Sequence, residues 1–240
     1  MMATPFVQDI PLYAPEHLEK LWSRFQKNTM IGRSAFIENL QIVEHAARYT
    51  EGAFVECGTW KGGMSAAMMA IGGVERQYHF FDSFQGLPEA KDIDGEAAKA
   101  YQKDKENPYY YDNCRANIVD FVATISQVGV PEDKLHVHQG WFEDTIPRYD
   151  GGAIAVLRLD GDWYASTMQC LKTLYPLVRK GGMVIVDDYQ YWHGATRAVH
   201  DYLSSVQSIS AIGRTATARV AFIQKEELGM TESITSPLPI

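Results

Sequence analysis

The sequence is poor in cysteine and has no surplus of positive charge. Its 240 residues include three cysteines, Cys57, Cys114 and Cys170, and no CxxC pair. This pattern argues against a disulfide framework or a zinc site and favours a reducing compartment. Lysine and arginine number 22 against 30 acidic residues, so the formal net charge is −8. A binder of nucleic acid or of an anionic membrane needs a basic face, so both classes are disfavoured.

Long apolar runs are also missing from the sequence. No run approaches the roughly 18 residues that cross a bilayer, and residues 1–20 lack the basic and then apolar pattern of a signal peptide. The chain is otherwise typical of a globular protein, with 46% hydrophobic and 22% charged residues. We therefore expect a cytoplasmic protein.

Short β-branched or aromatic runs alternate with helical stretches along most of the chain. This alternation predicts a doubly wound α/β fold, with a mostly parallel sheet covered on both faces. The last two runs leave no room for a helix between them, so we expect an antiparallel edge hairpin. The runs are 53–55, 78–81, 135–138, 154–157, 183–186, 209–212 and 219–224, and the helical stretches between them are 62–71, 113–128, 163–178 and 196–206.

Two further segments complete the predicted organisation. We expect a helical extension over residues 1–50 and one domain over residues 51–240. Within that domain, residues 87–113 are polar and charge-dense and follow the second strand. Long connections on this edge of a sheet are often lids, so the segment is either a mobile lid or a merely solvated insertion.

The turn after the first strand carries a glycine pattern that indicates nucleotide binding. Its sequence, Glu56-Cys57-Gly58-Thr59-Trp60-Lys61-Gly62-Gly63, has Trp60 where a dinucleotide fingerprint needs its middle glycine. The spacing acid-x-Gly-x-x-x-Gly is the one used by S-adenosylmethionine (SAM) methyltransferases, although tight turns also carry glycine for packing alone. Asp82 ends the next strand and either accepts the hydroxyls of a ribose or caps its own turn; we favour the ribose.

Four carboxylates follow the fourth and fifth strands. Asp160 and Asp162 come directly after the fourth strand, and Asp187 and Asp188 after the fifth. Either pair alone could cap a helix, but neighbouring parallel strands end together, and acids so close need a neutralising cation. With no histidine or cysteine partner, the ligands suit Mg²⁺, Mn²⁺ or Ca²⁺. Asp160, Asp187 and Asp188 would hold the ion, which leaves Asp162 as a general base for a hydroxyl acceptor.

Five segments together resemble the macrocin O-methyltransferase family. They are 54–63, 81–88, 140–147, 159–167 and 181–189, and the resemblance extends from about Thr29 to Tyr202.

The resemblance implies a class I SAM methyltransferase fold, which is Rossmann-like, and a homodimer formed through the N-terminal helices. It also implies Mg²⁺-dependent methylation of a hydroxyl on a glycosylated natural product, with the same metal ligands and the same base. The implied cofactor contacts are Met30, Glu56, Gly58, Thr59, Asp82, Ser83, Gly140, Trp141 and Phe142.

Three alternatives remain open at the level of sequence. The acceptor could be a phenol or catechol, which an acceptor screen would decide. A nicotinamide-dependent oxidoreductase is disfavoured by Trp60 and by the acidic cluster. A non-catalytic module that binds an adenosyl group has no use for four clustered carboxylates.

Overall fold

A computed structural model describes residues 15–227 of the chain. Residues 1–14 of the predicted helical extension and residues 228–240 of the predicted domain therefore lie outside the described residues. Within the described part, no helix combines the length and the apolar character needed to cross a membrane.

The strands form one seven-stranded sheet in the order β3-β2-β1-β4-β5-β7-β6. The first five strands of the chain are parallel to one another, whereas β7 runs antiparallel to both β5 and β6. The predicted mostly parallel sheet and its edge hairpin are confirmed. The strands are β1 (Ala53–Cys57), β2 (Tyr78–Asp82), β3 (Leu135–Gln139), β4 (Ile154–Leu159), β5 (Val178–Val186), β6 (Ile212–Arg214) and β7 (Ala221–Gln224).

Helices cover both faces of the sheet, as the apolar runs of the central strands require. All six residues of β4 are buried; Val156 faces one hydrophobic cluster and Leu157 the other. The helices are α1 (Glu16–Phe25), α2 (Arg33–Tyr49), α3 (Gly63–Gly72), α4 (Glu96–Lys103), α5 (Tyr111–Cys114), α6 (Ile118–Ile125), α7 (Phe142–Thr145), α8 (Tyr164–Leu174) and α9 (His193–Ser205).

The two N-terminal helices contribute to the main hydrophobic core. Leu18 and Phe25 of α1 and Phe36 of α2 are fully buried in the cluster that contains Phe54 of β1. Burying one such side chain stabilises a fold by about 1.5–3 kcal/mol. Residues 29–31, which connect these helices, are thereby fixed near the carboxyl ends of the strands, where they line the main cavity.

The helix predicted over 113–128 is wrong at its start. The four residues of α5, Tyr111–Cys114, all have positive φ values, between 47° and 59°. This element is therefore a single left-handed turn, a conformation that non-glycine residues rarely adopt. The regular helix begins at Ile118, where the side chain of Asn117 accepts a hydrogen bond from the Val119 N–H at 2.9 Å. An asparagine cap of this kind starts a helix by satisfying a free backbone donor.

Candidate active site

The glycine turn after β1 brings two loops into close contact. Gly58 has φ +88°, and a Cβ at this position would lie 1.8 Å from the carbonyl oxygen of Asp160. Only glycine permits this approach between the loops that follow β1 and β4. The nucleotide end and the acidic end of the site are therefore built against each other.

Asp82 makes the contacts expected of a turn cap. Its Oδ2 accepts hydrogen bonds from the backbone N–H groups of Thr59 and Trp60, at 2.7 and 2.9 Å, and its Oδ1 accepts one from Phe84 at 2.7 Å. Asp82 thus holds the turns after β1 and β2 together. Each carboxylate oxygen can accept two hydrogen bonds, so Oδ1 keeps capacity for a ligand, and ribose binding remains a prediction.

A cavity of about 340 Å³ opens at the carboxyl ends of the strands. Its wall extends from the glycine turn to the aspartates after β4, so a cofactor and the acidic cluster can share it. Gly140 is absent from this wall; its N–H donates to the Asp82 carbonyl at 2.9 Å. The predicted cofactor contacts that line the cavity are Met30, Glu56, Gly58, Thr59, Asp82, Ser83, Trp141 and Phe142.

The carboxylates after β4 and β5 converge as their positions predict. One oxygen from each of Asp160, Asp187 and Asp188 lies within 4.8 Å of the other two. A set made only of carboxylate oxygens fits a hard divalent cation such as Mg²⁺. Asp160 and Asp162 line the cavity, and Asp187 and Asp188 lie behind them at the end of β5.

Arg158 is a member of this cluster that the sequence analysis missed. Its guanidinium is 1% exposed and donates to Glu56 at 2.9 Å, to Asp160 at 2.8 Å and to Asp187 at 2.7 Å. The sequence did contain a signal for it, because a single arginine interrupts the apolar run of β4, and a charge buried in a central strand needs partners. Arg158 supplies one positive charge among five carboxylates, which are Glu56, Asp160, Asp162, Asp187 and Asp188.

One guanidinium does not neutralise five carboxylates, and the pKa values of the cluster reflect this. Burial raises the pKa of Glu56 to about 7 and that of Asp160 to about 6, against the opposing effect of Arg158. Burial and the charge of Asp160 raise the pKa of Asp162 to about 8, and burial raises that of Asp188 well above its ordinary value. A second positive charge would allow the cluster to ionise fully at neutral pH.

Asp162 is fixed at two points beside the metal-ligand candidates. Its backbone N–H donates to Oδ2 of Asp188, and its Oδ1 accepts from the indole N–H of Trp192, both at 2.9 Å. The residue has φ +57°, a left-handed conformation that aspartate adopts more readily than most residues. Trp192 is the second residue at the site whose role the sequence analysis did not assign.

The insertion over 87–113 is folded against the site. Its two ends are joined by reciprocal hydrogen bonds between Leu87 and Asn113, at 3.0 and 2.9 Å. Asp94 is 3% exposed; its Oδ1 accepts from the N–H of Tyr164 at the start of α8, at 2.7 Å. The indole N–H of Trp163 donates to the carbonyl of Pro88 at 2.8 Å. The insertion is therefore attached to the element that follows the Asp160 loop.

Comparison with known proteins identifies the family of this fold and site. Residues 19–222 match the family model described as Macrocin-O-methyltransferase (TylF). The chain belongs to the macrocin O-methyltransferase family. It is therefore a SAM-dependent O-methyltransferase, and the oxidoreductase and non-catalytic alternatives are set aside.

Two relatives and one solved structure are similar to this member of the macrocin O-methyltransferase family. The chain is 35% identical over 183 residues to the 8-demethyl-8-(2,3-dimethoxy-alpha-L-rhamnosyl)-tetracenomycin-C 4'-O-methyltransferase of Streptomyces olivaceus, covering 73% of this chain and 67% of the relative. It is 35% identical over 187 residues to the mycinamicin III 3''-O-methyltransferase of Micromonospora griseorubida, covering 73% and 70%. The structure of the O-methyltransferase NovP is similar with a TM-score of 0.69 and 27% identity, covering 83% of each chain.

Proposed function

We propose that this methyltransferase transfers a methyl group from SAM to a sugar hydroxyl of a glycosylated natural product, with Mg²⁺ bound and Asp162 as the general base. The observation that carries the proposal is the geometry of the acidic cluster. Three carboxylates converge to within 4.8 Å, while Asp162 stands outside that set, on the cavity wall and 2.9 Å from Trp192.

The roles of the residues follow from their positions. Asp160, Asp187 and Asp188 would hold the divalent ion, which lowers the pKa of a hydroxyl brought to it. Met30, Thr59 and Trp141 would contact SAM, which supplies an electrophilic methyl group, and the remaining cofactor contacts would be Glu56, Gly58, Asp82, Ser83, Gly140 and Phe142. Glu56 would also hold Arg158, since its Oε1 accepts a hydrogen bond from Arg158 while its Oε2 accepts one from Ser65.

Asp162 would take the proton of the acceptor hydroxyl as the oxygen attacks the methyl carbon and the carbon–sulfur bond breaks. Its Oδ2 accepts no hydrogen bond from the described residues, so that oxygen is available for the proton. A positioned base of this kind contributes about 10²- to 10⁴-fold to rate. An alcohol needs such a base more than a phenol does, because its hydroxyl is less acidic.

The class of acceptor is supported by the relatives. One relative described above carries a glycosylated acceptor in its name, a rhamnosyl-tetracenomycin, and the other is named for position 3'' of mycinamicin III. The test is an acceptor panel with SAM and Mg²⁺ that contains these two compounds, the aglycone of the rhamnosyl-tetracenomycin and a catechol. We expect methylation of a glycoside, loss of activity with a chelator, and recovery on addition of Mg²⁺. Preferred methylation of the catechol would contradict the glycoside assignment.

We also propose a homodimer, which the family resemblance supports. Sedimentation equilibrium of the full chain would show twice the 27.0 kDa mass of the monomer. A monomer at micromolar concentration would contradict it.

A further inference from the structure

Trp192 contacts the proposed base directly but has no role in the mechanism proposed above. It lies between Asp188 and α9, and its indole N–H donates to Oδ1 of Asp162 at 2.9 Å. Its own backbone N–H donates to the carbonyl of Asp188 at 3.0 Å. The same residue is thus tied to a metal-ligand candidate through its backbone and to the base through its side chain.

The Asp162 side chain needs such a contact to hold one orientation. Its backbone is fixed by the hydrogen bond to Asp188, but a carboxylate on a single Cβ can still rotate about χ1 and χ2. An indole N–H is a donor only and cannot take a proton. It therefore occupies one carboxylate oxygen without competing for the proton, and it leaves the other oxygen for the acceptor.

The indole is itself held by its aromatic neighbours. The Trp192 ring packs edge-on against Trp163, with ring centres 5.2 Å apart, and against Tyr101 of α4 at 5.5 Å. Trp163 is bonded to the carbonyl of Pro88, and the Tyr101 hydroxyl donates to the carbonyl of Tyr110 at 2.5 Å. Tyr101 of the folded insertion and Trp163, which is bonded to the insertion at Pro88, thus hold the ring.

We propose that Trp192 is a positioning residue for methyl transfer, which orients the Asp162 carboxylate toward the acceptor hydroxyl and links it to the insertion over 87–113. The proposal rests on the proposed function, because it takes Asp162 to be the base. It assigns to the insertion a role in aligning the base in addition to covering the site.

The first test needs no acceptor and measures the hydrogen bond itself. The protein contains five tryptophans, and each indole N–H gives one signal in a ¹H–¹⁵N spectrum. The spectrum is recorded on the full chain with S-adenosylhomocysteine and Mg²⁺, and Trp192→Phe assigns the signal of Trp192. We expect Asp162→Asn to move that signal upfield, because a neutral acceptor makes a weaker hydrogen bond than a carboxylate. An unmoved Trp192 signal would overturn the proposal.

The second test separates positioning from structure. Trp192→Phe keeps an aromatic ring but removes the N–H. The matched control is Tyr189→Phe, at a residue three positions earlier that does not line the cavity. This control removes a hydroxyl that forms a hydrogen bond with His200 at 2.8 Å. With the acceptor that the panel identifies, we expect Trp192→Phe to lower kcat by about 10- to 100-fold. The KM for SAM and the affinity for S-adenosylhomocysteine should stay within about twofold of the control.

The possible outcomes distinguish this proposal from the function on which it rests. If Asp162→Asn retains wild-type kcat, the assignment of the base fails. If Asp162→Asn is inactive and Trp192→Phe matches Tyr189→Phe, only the positioning role fails. A faster Trp192→Phe would show that the indole blocks the acceptor, which also overturns positioning.

Discussion

At the scale of single residues, the acidic cluster depends on Arg158. This side chain is 1% exposed and contacts three carboxylates, of which Glu56 is fully buried. Removing one partner of a buried ion pair leaves an uncompensated charge and costs about 3–5 kcal/mol. We therefore predict that Arg158→Met lowers the free energy of unfolding, measured in urea, by about that amount.

The control for Arg158→Met is the same substitution in an exposed ion pair with a similar N···O distance. Arg48 lies 2.8 Å from Glu44 on α2 with its side chain 65% exposed, and such pairs contribute about 0–1 kcal/mol. Arg48→Met should therefore change the stability by less than about 1 kcal/mol. Equal losses in the two variants would show that Arg158 is not essential to the cluster.

Asp162 and the metal-ligand candidates should respond differently to substitution. Asp162→Asn keeps the size of the side chain and an acceptor for Trp192, but it cannot take a proton. We predict a loss of about 10²-fold or more in kcat, with S-adenosylhomocysteine affinity and Mg²⁺ affinity retained in calorimetry. A variant that also lost Mg²⁺ would place Asp162 among the metal ligands instead.

The sequence predicts the acidic residues of the site but not what holds them. Asp160, Asp187 and Asp188 follow adjacent strands, so their convergence could be inferred from topology. The contacts of Arg158 with Glu56 and Asp187, and that of Trp192 with Asp162, could not be inferred, because they join segments that are distant in the sequence. Arg158 alone left a local signal, as a charge within an apolar strand.

At the scale of elements, the insertion is attached to α8 through Asp94. Asp94 accepts the N–H of Tyr164 and, through Oδ2, the N–H of Lys91 at 2.8 Å. Its removal leaves two backbone donors without partners and takes a negative charge from a helix start, which costs about 1 kcal/mol. We predict that Asp94→Ala speeds limited proteolysis between residues 96 and 110 by about fivefold.

Asp92 provides the control for Asp94 in the same short turn. Its side chain is 99% exposed and, among residues 15–227, bonds only Lys99, so Asp92→Ala should leave the rate of cleavage unchanged. Bound S-adenosylhomocysteine with an acceptor should slow cleavage of the wild type if the insertion closes as a lid. The same rate with and without ligands would favour a passive insertion.

The order of elements was predictable and their ends were less so. Alternating runs indicated the parallel sheet, and the short connection before β7 indicated the hairpin. The prediction for 113–128 failed over residues 113–117, because Asn113 and Cys114 belong to a left-handed turn and the regular helix begins only at Ile118. Asp112, Asn113 and Cys114 are weak helix formers, and aspartate and asparagine adopt the left-handed conformation more readily than most residues. The contacts that close the neck of the insertion, such as Leu87 with Asn113, accompany this turn.

At the scale of the whole molecule, a buried histidine group makes stability depend on pH. His79 of β2 is 1% exposed and packs against the rings of His136, His138 and Tyr149. Burial, reinforced by the two neighbouring histidines and opposed by Asp150, lowers the pKa of His79 to about 4 from 6.5. The unfolded chain thus binds a proton at this residue between pH 6.5 and 4 that the folded chain does not bind.

Stability contributed by neutral His79 is therefore complete above pH 6.5 and is lost as the pH falls toward 4. From pH 7 to pH 4.5 the loss is about 2–3 kcal/mol. The raised pKa values of Glu56 and Asp160 change the stability in the opposite direction over the same pH range. The contribution of His79 must therefore be measured as a difference in stability between the wild type and a variant that lacks this histidine. We predict that the stability difference between wild type and His79→Phe, from urea unfolding, shifts by this amount in favour of the variant at pH 4.5. A constant difference would contradict it.

We propose that Asp160, Asp187 and Asp188 form a divalent metal site beside the cavity that would hold SAM. The most direct measurement is calorimetric titration of Mg²⁺ into the S-adenosylhomocysteine complexes of wild type, Asp187→Ala and the control Asp201→Ala, whose carboxylate pairs with Arg197 at 3.4 Å on α9. We predict that wild type and control each bind one Mg²⁺ per chain and that Asp187→Ala binds none, while all three bind S-adenosylhomocysteine. Equal Mg²⁺ binding by Asp187→Ala and wild type, or no Mg²⁺ binding by wild type, would contradict it.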